Sequence, residues 1–520
     1  MQTTSAKQLD FNPIFQDALT LMEETGTSLF ITGKAGTGKS TLLDYFQKNS
    51  QKNHVVLAPT GVAALNVKGQ TIHRFFGFSI DITPQKIADK EFKPRTKNIY
   101  KQLKTIIIDE VSMLRADLVD CIDLFLRMYG PSAIQPFGGV QMIFVGDLYQ
   151  LPPVVTAQET QIFSTLYQTP YFFSAHVFAH CTFKIIELEK IYRQKDQIFI
   201  DLLNRIRNNH IEEGDLQKLN SRLNIPSAPE HHFMISLTST NKKADEINQL
   251  HLENLKGKPL HFQATIKGDF GKEFYPTATE LQFKINAQIM LLNNDADGRW
   301  VNGSIGIITD FEQDEEGKPY ILVKLQDDGG YVQVYPYSWE VFRFALADNM
   351  IISEPVGQFI QFPFRLAWAV TIHKSQGKTF DHVIIDIGRG TFAPGQMYVA
   401  LSRCTSFEGI ELKTPILKHH IRTDSRIISF LSYYQHQQAE KECAANDKAI
   451  AIKQAIQESS ELEIIYRKND DTTSTYLVKP ISVGSQQYLG KIFPGVVAYC
   501  GQHQEERMFR IDRIMEIIKK

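Results

Sequence analysis

The stretch "GKAGTGKS", from Gly33 to Ser40, has the residue types and the spacing of a phosphate-binding loop. It fits the pattern G-x-x-x-x-G-K-[ST], in which glycines let backbone N–H groups wrap around phosphate oxygens and the next helix N-terminus favours an anion. Lys39 would then reach the β- and γ-phosphates, and Ser40 would bind magnesium. The loop follows an apolar run and precedes the helix-prone "STLLDYFQ", which is the expected context. The residues predicted to hold the nucleotide here are Gly33, Gly36, Thr37, Gly38, Lys39, Ser40 and Thr41.

An acidic pair supplies the carboxylates that a phosphate loop needs for magnesium binding and water activation. "TIIIDE" places Asp109 at the end of a predicted strand, where its carboxylate can hold the magnesium ion, and Glu110 beside it can polarise an attacking water. Acidic residues are common at exposed strand ends, so the pair gains its meaning from the phosphate loop that precedes it. In "VGDLYQLPPV", Gln150 follows another predicted strand and could sense the γ-phosphate or orient water. These residues predict hydrolysis of a nucleoside triphosphate.

Two distant arginines are candidates for charge stabilisation, which phosphoryl transfer needs more than covalent chemistry. Arg193 lies in "IYRQKD" and Arg403 lies in "YVALSRC". A surface salt bridge is the ordinary alternative for a single arginine, and spacing alone does not choose between the two interpretations.

The elements that must position these residues alternate along the chain. Buried parallel strands are predicted for "SLFITG", "HVVLAPT", "TIIIDE" and "QMIFVGD", with amphipathic stretches between them. A second alternating region begins near "FKIIELEK" and resumes at "RLAWAVTIHKSQG" and "HVIIDIG", after an insert rich in strand and turn signals. This pattern predicts an α/β protein with two doubly wound cores. The predicted domains are a first core at residues 1–183, a second core at 184–435 with an insert at about 271–365, a connector at 436–450 and a last β-rich unit at 451–520.

Composition excludes little about partners. Lys and Arg number 56 and Asp and Glu number 58 among 520 residues, a net charge of −2 that leaves nucleic-acid binding open because a groove can be locally basic. The five cysteines form no C-x-x-C pair, which argues against a zinc or iron–sulfur site. The first residues lack a basic and then apolar leader, and no apolar run reaches the ~18 residues that span a bilayer. We therefore expect a soluble cytoplasmic protein with no membrane partner.

Taken in order, the motifs resemble those of superfamily-1 DNA helicases that move 5′ to 3′, and within them the Pif (petite integration frequency) type. The resemblance spans residues ~8 to ~430 and also rests on "APTGVAALNVKGQTIHRFFG", "FGGVQMIFVGDLYQLPPV", "IYRQKDQIFIDLLNRIR", "AWAVTIHKSQGKTFDHVIID" and "MYVALSRC". It implies two RecA-like cores, an accessory element at about 77–104 and a small β-barrel as the insert. It also implies ATP and magnesium as cofactors, and single-stranded and forked DNA as partners.

The resemblance further implies roles for single residues. Gln16 matches a glutamine that reads adenine, and Arg193 and Arg403 match two arginines that reach the γ-phosphate from the second core. Hydroxyls can hold phosphates without reading sequence, and aromatic rings can stack on bases. For the histidines and phenylalanines of these motifs, ordinary core packing is the alternative. The residues whose motifs line a single-strand track are Thr60, Thr71, His73, Phe75, Thr371, His373 and Ser375.

Residues 451–520 resemble a WYL domain, with "LEIIYRK", "YLVKPISV", "VVAYC" and "ERMFRIDRI". The tripeptide that names the domain reads Gln-Tyr-Leu here, without its tryptophan. The candidate contacts to nucleic acid or a small anionic ligand are Tyr466, Arg507, Arg510 and Arg513. Strand alternation predicts that Arg507 and Arg513 share one face and that Arg510 points the other way. A mainly structural role for this unit is the alternative.

The function that these observations predict is ATP-dependent 5′-to-3′ unwinding of DNA. A RecD-type translocase shares "TIHKSQG" and the polarity, but the "FGGVQ" segment favours the Pif type. A nucleotide-gated binding protein, which would hydrolyse ATP on DNA without unwinding it, is the alternative from another class.

Overall fold

The computed structural model describes residues 11–79, 81–90, 97–155, 157–194, 196–225, 233–326, 330–347, 350–388, 390–442, 445–468, 472–488 and 491–519. The chain forms two compact units. The first comprises residues 1–203 and 211–422, and the second comprises residues 204–210 and 423–520. Among the helices in these described ranges, none is long and apolar enough to cross a bilayer.

The first unit begins with a parallel sheet that carries the phosphate loop. Its strands lie in the order β3-β2-β4-β5-β1-β6. The strands are β1 (Leu29–Gly33), β2 (His54–Ala58), β3 (Gln70–Thr71), β4 (Thr105–Ile108), β5 (Gln141–Val145) and β6 (Lys184–Leu188). The helices are α1 (Pro13–Glu24), α2 (Lys39–Asn49), α3 (Gly61–Asn66), α4 (Ile72–Phe76), α5 (Pro84–Ala88), α6 (Lys97–Gln102), α7 (Ala116–Tyr129) and α8 (Ala157–Leu166).

The central strands of this sheet are apolar on both faces because helices cover both of them. Every residue of β1, β4 and β5 is buried. Helix starts are fixed locally: the Asn12 side chain accepts a hydrogen bond from the Phe15 backbone N–H, and Pro13 opens α1. The four strands predicted from "SLFITG", "HVVLAPT", "TIIIDE" and "QMIFVGD" are confirmed as β1, β2, β4 and β5.

One predicted strand lies in the other core. "FKIIELEK" was expected to start the second core at residue 184, but β6 pairs in parallel with β1 over Leu29–Gly33 and so completes the first sheet. Hydrophobic periodicity identifies a strand without saying which sheet it joins, because the pairing partner is distant in sequence. The first sheet therefore extends to residue 188.

The accessory element predicted at about 77–104 contributes α5, α6 and aromatic packing. Tyr100 of α6 is 3% exposed, and its ring packs on Phe75 and Phe125. Residues 91–96 of this element lie outside the described residues.

The chain then forms α9 (Gln197–Arg207), α10 (Glu213–Asn220), β7 (Ile235–Thr238) and α11 (Asn241–Asn254) before entering the β insert. The insert pairs its strands as β14-β13-β12-β11-β17, β15-β16-β9 and β10-β8, and Phe283, Trp300 and Phe362 lie in one apolar core. Its strands begin at residue 260 rather than about 271, and closure into a barrel stays a prediction. They are β8 (Leu260–Gln263), β9 (Thr265–Gly268), β10 (Glu280–Phe283), β11 (Gln288–Leu291), β12 (Ile305–Gln313), β13 (Pro319–Leu325), β14 (Tyr331–Val334), β15 (Tyr337–Ala347), β16 (Met350–Gln361) and β17 (Phe364–Leu366).

A second parallel sheet combines β7, which precedes the insert, with three strands that follow it, in the order β18-β7-β19-β20. Its remaining elements are β18 (Ala369–Thr371), β19 (Val383–Asp386), α12 (Gln396–Leu401) and β20 (Ile410–Leu412). The loops after β18 and β19 leave from the same carboxyl edge because the strands are parallel, and such edges are where α/β proteins bind ligands.

The second unit is a five-stranded antiparallel sheet with two helices. Its strand order is β24-β23-β22-β21-β25, and Ile452, Tyr476 and Phe509 lie in its core. The predicted connector at 436–450 overlaps both helices, apart from residues 443–444, which lie outside the described residues, and the longer segment of the unit starts at residue 423. Its elements are α13 (Ser425–Glu442), α14 (Ala445–Glu458), β21 (Leu462–Arg467), β22 (Thr473–Tyr488), β23 (Lys491–Cys500), β24 (Glu505–Arg510) and β25 (Ile514–Lys519).

Candidate nucleotide and nucleic-acid sites

The phosphate loop joins β1 to α2 and has the backbone form that its glycines allow. Gly36 and Gly38 have φ of +82° and +91°, a region that side chains rarely adopt. A Cβ on Gly36 would also lie 2.5 Å from the Cβ of Arg193. The Lys39 ammonium donates to the backbone oxygens of Gly33, at 2.6 Å, and Lys34, at 3.0 Å. The Lys39 ammonium is thus held over the loop, where it would contact a bound phosphate.

The residues present fit a nucleotide with its magnesium ion. Gly38 caps α2 without a side-chain hydrogen bond, so the first N–H groups of this 11-residue helix have no side-chain acceptor at the cap. Ser40 and Thr41 are exposed in its first turn, whereas Thr37 is buried and donates to the Lys34 backbone oxygen. A serine hydroxyl and the Asp109 carboxylate are oxygen ligands of the kind that magnesium prefers.

The acidic pair lies at the end of β4 in an environment that disfavours charge. Burial raises the pKa of Asp109. Burial and the neighbouring Asp109 carboxylate raise the pKa of Glu110 to about 7, against the opposing effects of Lys39, Arg403 and a hydrogen bond from Gln376. A carboxylate with a pKa near the working pH is suited to general-base catalysis.

Gln376 connects the two cores at this point, and the sequence reasoning missed it. Its side-chain N–H group donates to Glu110 at 2.9 Å and to the Gln150 side-chain oxygen at 3.0 Å. Gln150 is itself 8% exposed and donates to Asp147 at 3.4 Å. The signal was available in "TIHKSQG", the motif that follows β18, but nothing local indicates which residue of that motif reaches Glu110.

Both candidate arginines lie at the same junction. Arg193 donates to the backbone oxygens of Ser402 and Gly377, each at 3.4 Å. Arg403 is 1% exposed and donates to the backbone oxygens of Val399 and Lys378. Burial lowers the pKa of both, and the charge of Arg193 lowers that of Arg403 further. A buried guanidinium and a half-buried one that repel each other form a site that favours an anion.

Two further residues, Gln194 and Tyr398, complete this junction and were not predicted. Gln194 donates to the backbone oxygens of Ser402 and Cys404, each at 3.1 Å, which fixes the segment that carries Arg403. The Tyr398 hydroxyl accepts a hydrogen bond from the Ala35 N–H in the phosphate loop, at 3.2 Å.

Tyr192 lies beside the loop, where its backbone N–H donates to Gly36 at 2.9 Å. Its hydroxyl accepts from the Asn12 side chain at 3.5 Å, and Gln16 lies one turn along the same helix with an exposed side chain. The Gln16 amide donates to the Phe11 backbone oxygen at 3.2 Å. Tyr192 therefore links the phosphate loop to Asn12, the N-cap of the helix that carries Gln16.

Three of the predicted track residues cap local turns at the carboxyl edges of the sheets. The Thr60 hydroxyl accepts from the Ala63 N–H at the start of α3, and the Thr71 hydroxyl accepts from the Arg74 N–H at the start of α4. The Thr371 hydroxyl accepts from the Lys374 N–H after β18. Thr60 is partly exposed, whereas Thr71 and Thr371 are 7% and 4% exposed.

Two predicted track residues are corrected by their burial. Phe75 is 7% exposed and packs edge-on against Phe76, Tyr100 and Phe344, so its ring offers no open face for a base. Ser375 is completely buried and its hydroxyl donates to the Ile372 backbone oxygen at 2.7 Å. Both support the track motifs from within the core.

The two track histidines are partly exposed, and burial lowers the pKa of each, so both are neutral at physiological pH. His73 lies on α4, and His373 follows β18. The His373 ring lies 5.7 Å from that of Phe392, with 9° between the ring planes.

The second unit places its candidate contacts around two cavities, and the Tyr466 hydroxyl accepts a hydrogen bond from the Arg510 backbone N–H at 3.3 Å. Tyr466 and Arg507 line one cavity of about 410 Å³ together with His503. Arg513 lines a smaller cavity with Gln435, and Arg510 pairs with Asp512 at 2.6 Å. Strand alternation does not extend from Arg507 to Arg513, because β24 ends at Arg510 and Arg513 lies in a following turn, so a shared face stays a prediction.

Two parallel sheets, whose carboxyl edges bring a phosphate loop, an acidic pair and two arginines to one junction, define the class of two-core P-loop NTPases. Residues 8–217 match the PIF1-like helicase family, residues 366–406 match the UvrD-like helicase C-terminal domain, and residues 448–518 match the WYL domain. The ATP-dependent DNA helicase Pif1 of Bdellovibrio bacteriovorus is 32% identical over 78% of this chain and 88% of its own length. The chain belongs to the PIF1-like helicase family.

Other comparisons extend this result. The human ATP-dependent DNA helicase PIF1 is 32% identical over 78% of this chain, and the chain spans only 61% of that protein. The crystal structure of Bacteroides sp Pif1 in complex with ADP-AlF4 is 37% identical, covers 83% of this chain and 98% of its own, and has a TM-score of 0.76. Bacteroides Pif1 bound to ssDNA is 38% identical over the same shares, with a TM-score of 0.60. The likeness confirms the two RecA-like cores and the WYL domain that the sequence predicted.

Proposed function

We propose that this protein is an ATP-dependent DNA helicase that moves 5′ to 3′ along a single strand and opens duplexes ahead of it. The observation that carries this proposal is the junction at Glu110. Residues of the first core and Gln376 of the second core share hydrogen bonds there, beside the phosphate loop. Family membership, and the relatives named as ATP-dependent DNA helicases, point to the same activity.

Hydrolysis follows from the groups around the phosphate loop. Lys39, now held by two backbone oxygens, is placed to exchange them for phosphate oxygens. Glu110, with a pKa near 7, is placed to take a proton from the attacking water. Magnesium, held by Ser40 and Asp109, would neutralise charge on the phosphates. Arg193 and Arg403 stabilise the charge of the transferred group, a contribution of roughly 10³–10⁵ in rate for an arginine of this kind.

Coupling to movement follows from where these groups originate. Gln376, Tyr398 and Arg403 belong to the second core, whereas Lys39 and Glu110 belong to the first. The hydrogen bond from the Ala35 N–H to the Tyr398 hydroxyl joins the phosphate loop to the second core, so a nucleotide in the loop lies between groups of both cores. Binding and release of nucleotide therefore bias the distance between the cores, and each cycle moves the grip on one strand.

The proposed partners are single-stranded and forked DNA. Thr60, His73 and His373 are the partly exposed candidates at the track, and Thr71 and Thr371 hold its turns. Contacts through hydroxyls and backbone predict little base preference. In the second unit, the cavity with Tyr466 and Arg507 is proposed to hold nucleic acid or a small anionic ligand. The cytoplasmic location expected from the sequence stays a prediction.

Unwinding of forked duplexes tests the proposal. We expect a duplex with a 5′ single-stranded tail to be opened in the presence of ATP and magnesium, and a matched duplex with a 3′ tail to be left closed. Lys39→Ala is the control that should bind the strand and open neither. Efficient opening of the 3′-tailed duplex would contradict the polarity. ATP hydrolysis on single strands without opening of either duplex would favour the nucleotide-gated binding protein.

A further inference from the structure

Phe392 is an exposed aromatic residue beside the proposed track, and no motif argument selected it. Its side chain is 58% exposed. It lies between β19 and α12, at the carboxyl edge of the second sheet, where the loop after β18 carries His373. The two rings are nearly parallel, at 9°, with centroids 5.7 Å apart. This separation is within the range of offset-stacked aromatic pairs.

Three hydrogen bonds hold the segment that presents Phe392. The Thr391 hydroxyl donates to the His420 backbone oxygen at 2.7 Å, and the Phe392 N–H donates to the Gln396 side-chain oxygen at 3.0 Å. Gln396 is completely buried, and the Gly395 N–H donates to the Arg422 backbone oxygen at 2.8 Å. Side-chain and backbone bonds on both sides of Phe392 thus hold its backbone in place while the ring stays in solvent.

Exposure alone would carry little meaning, since single exposed apolar residues are common on protein surfaces. Here the ring is paired with a neutral histidine, and its loop is anchored at three points. A pre-ordered aromatic surface loses little conformational entropy when a flat ligand stacks on it. Because every nucleobase has a π face, such a surface binds single strands without reading their sequence.

We propose that Phe392 and His373 form a two-ring platform on which one unpaired base of the bound strand stacks. The inference rests on the proposed function, because it names a contact within the strand-binding site. The platform adds an apolar contact to a track whose other candidates are hydroxyls and imidazoles. It therefore contributes to strand affinity without neutralising a phosphate.

The test measures binding of single-stranded DNA to the full chain by fluorescence anisotropy over a range of salt concentrations. Phe392→Ala should weaken binding by about 5- to 150-fold, which corresponds to ~1–3 kcal/mol for one stacked base. The slope of log affinity against log salt should stay the same, because it counts neutralised phosphates. Phe392→Trp should keep the affinity of the parent, and Phe392→Leu should lose it, because leucine is apolar but has no π face.

A strand with abasic positions distinguishes stacking from packing. The parent should lose affinity on the abasic strand, and Phe392→Ala should lose no more, because both changes remove the same contact.

Tyr331→Ala is the matched control, since Tyr331 is a 61% exposed aromatic residue on β14, and its affinity should equal that of the parent. Three results would each overturn the platform. They are a lowered melting temperature for Phe392→Ala, a loss of affinity on abasic strands by Phe392→Ala that equals its loss on intact strands, and full affinity of Phe392→Leu. If the parent itself fails to bind single strands, the proposed function fails; if it binds and Phe392→Ala binds equally well, only this inference fails.

Discussion

Replacing Gln376 by leucine should shift the pH dependence of ATP hydrolysis. The side-chain N–H group of Gln376 donates to Glu110 at 2.9 Å and stabilises its ionised form. Leucine has a similar volume and no donor. Burial and Asp109 already raise the pKa of Glu110 to about 7, so loss of the donor should raise it further.

The size of this effect follows from the hydrogen bond. A bond to a charged group contributes ~1.5–3 kcal/mol, and one pKa unit corresponds to ~1.36 kcal/mol, so the pKa should rise by about one to two units. If the ionised carboxylate is the base, about half of the parent is competent near neutral pH, against about a tenth to a hundredth of the variant. Activity is present above the pKa and is lost as the pH falls through it. The deficit should therefore be about 5- to 50-fold near neutral pH and should shrink as the pH rises.

The assay is phosphate release on saturating single-stranded DNA, with kcat/KM for ATP measured across pH, because this ratio reports the pKa values of the nucleotide-free enzyme. Gln194→Leu is the matched control, since Gln194 also donates two hydrogen bonds, to Ser402 and Cys404, but none to Glu110. It should lower the rate equally at every pH. A loss for Gln376→Leu that is the same across the pH range would refute the base role of Glu110 or the action of Gln376 on it.

Other expectations concern the remaining parts of the molecule. Lys39→Ala should abolish hydrolysis while leaving single-strand binding largely intact, because phosphoryl transfer requires a positive charge at the phosphates. ATPase activity above about a tenth of the parent rate would contradict this role of Lys39. Arg193→Ala should slow turnover far more than it weakens nucleotide affinity, because the guanidinium meets charge that develops in the transition state, and near-normal turnover on saturating DNA would make Arg193 structural. Strand affinity should fall with salt with a slope of about −0.7 per phosphate neutralised, as titration at several salt concentrations would show. Arg507→Ala should weaken strand binding or reduce the duplex opened per ATP without lowering the melting temperature, since Arg507 is partly exposed on the edge strand β24. A lower melting temperature with unchanged affinity and coupling would favour the structural role of the last unit.

The phosphate site was predictable from the sequence because its geometry is local. Gly33 to Ser40 are contiguous, and glycines at fixed spacing before a helix allow few other backbone paths. Asp109 and Glu110 were predictable for a related reason: a run of three isoleucines identifies β4, and the residues after a parallel strand lie at the ligand-binding edge. The overall α/β class followed from the alternation of such runs, and the family resemblance supplied the order of the cores.

Contacts between distant segments were decided only by the tertiary structure. Gln376 lies 266 residues from Glu110, and no local pattern distinguishes it from its neighbours in "TIHKSQG". Phe75 and Phe392 are both phenylalanines near the track motifs, yet one is 7% exposed and the other 58%. Burial depends on which elements pack against a residue, and β6 shows that even a clear strand does not name its own sheet. Sequence therefore determined which local groups can bind phosphate. Long-range packing decided which side chains of the second core complete the site, because the positions of these side chains depend on strand pairings that sequence periodicity does not encode.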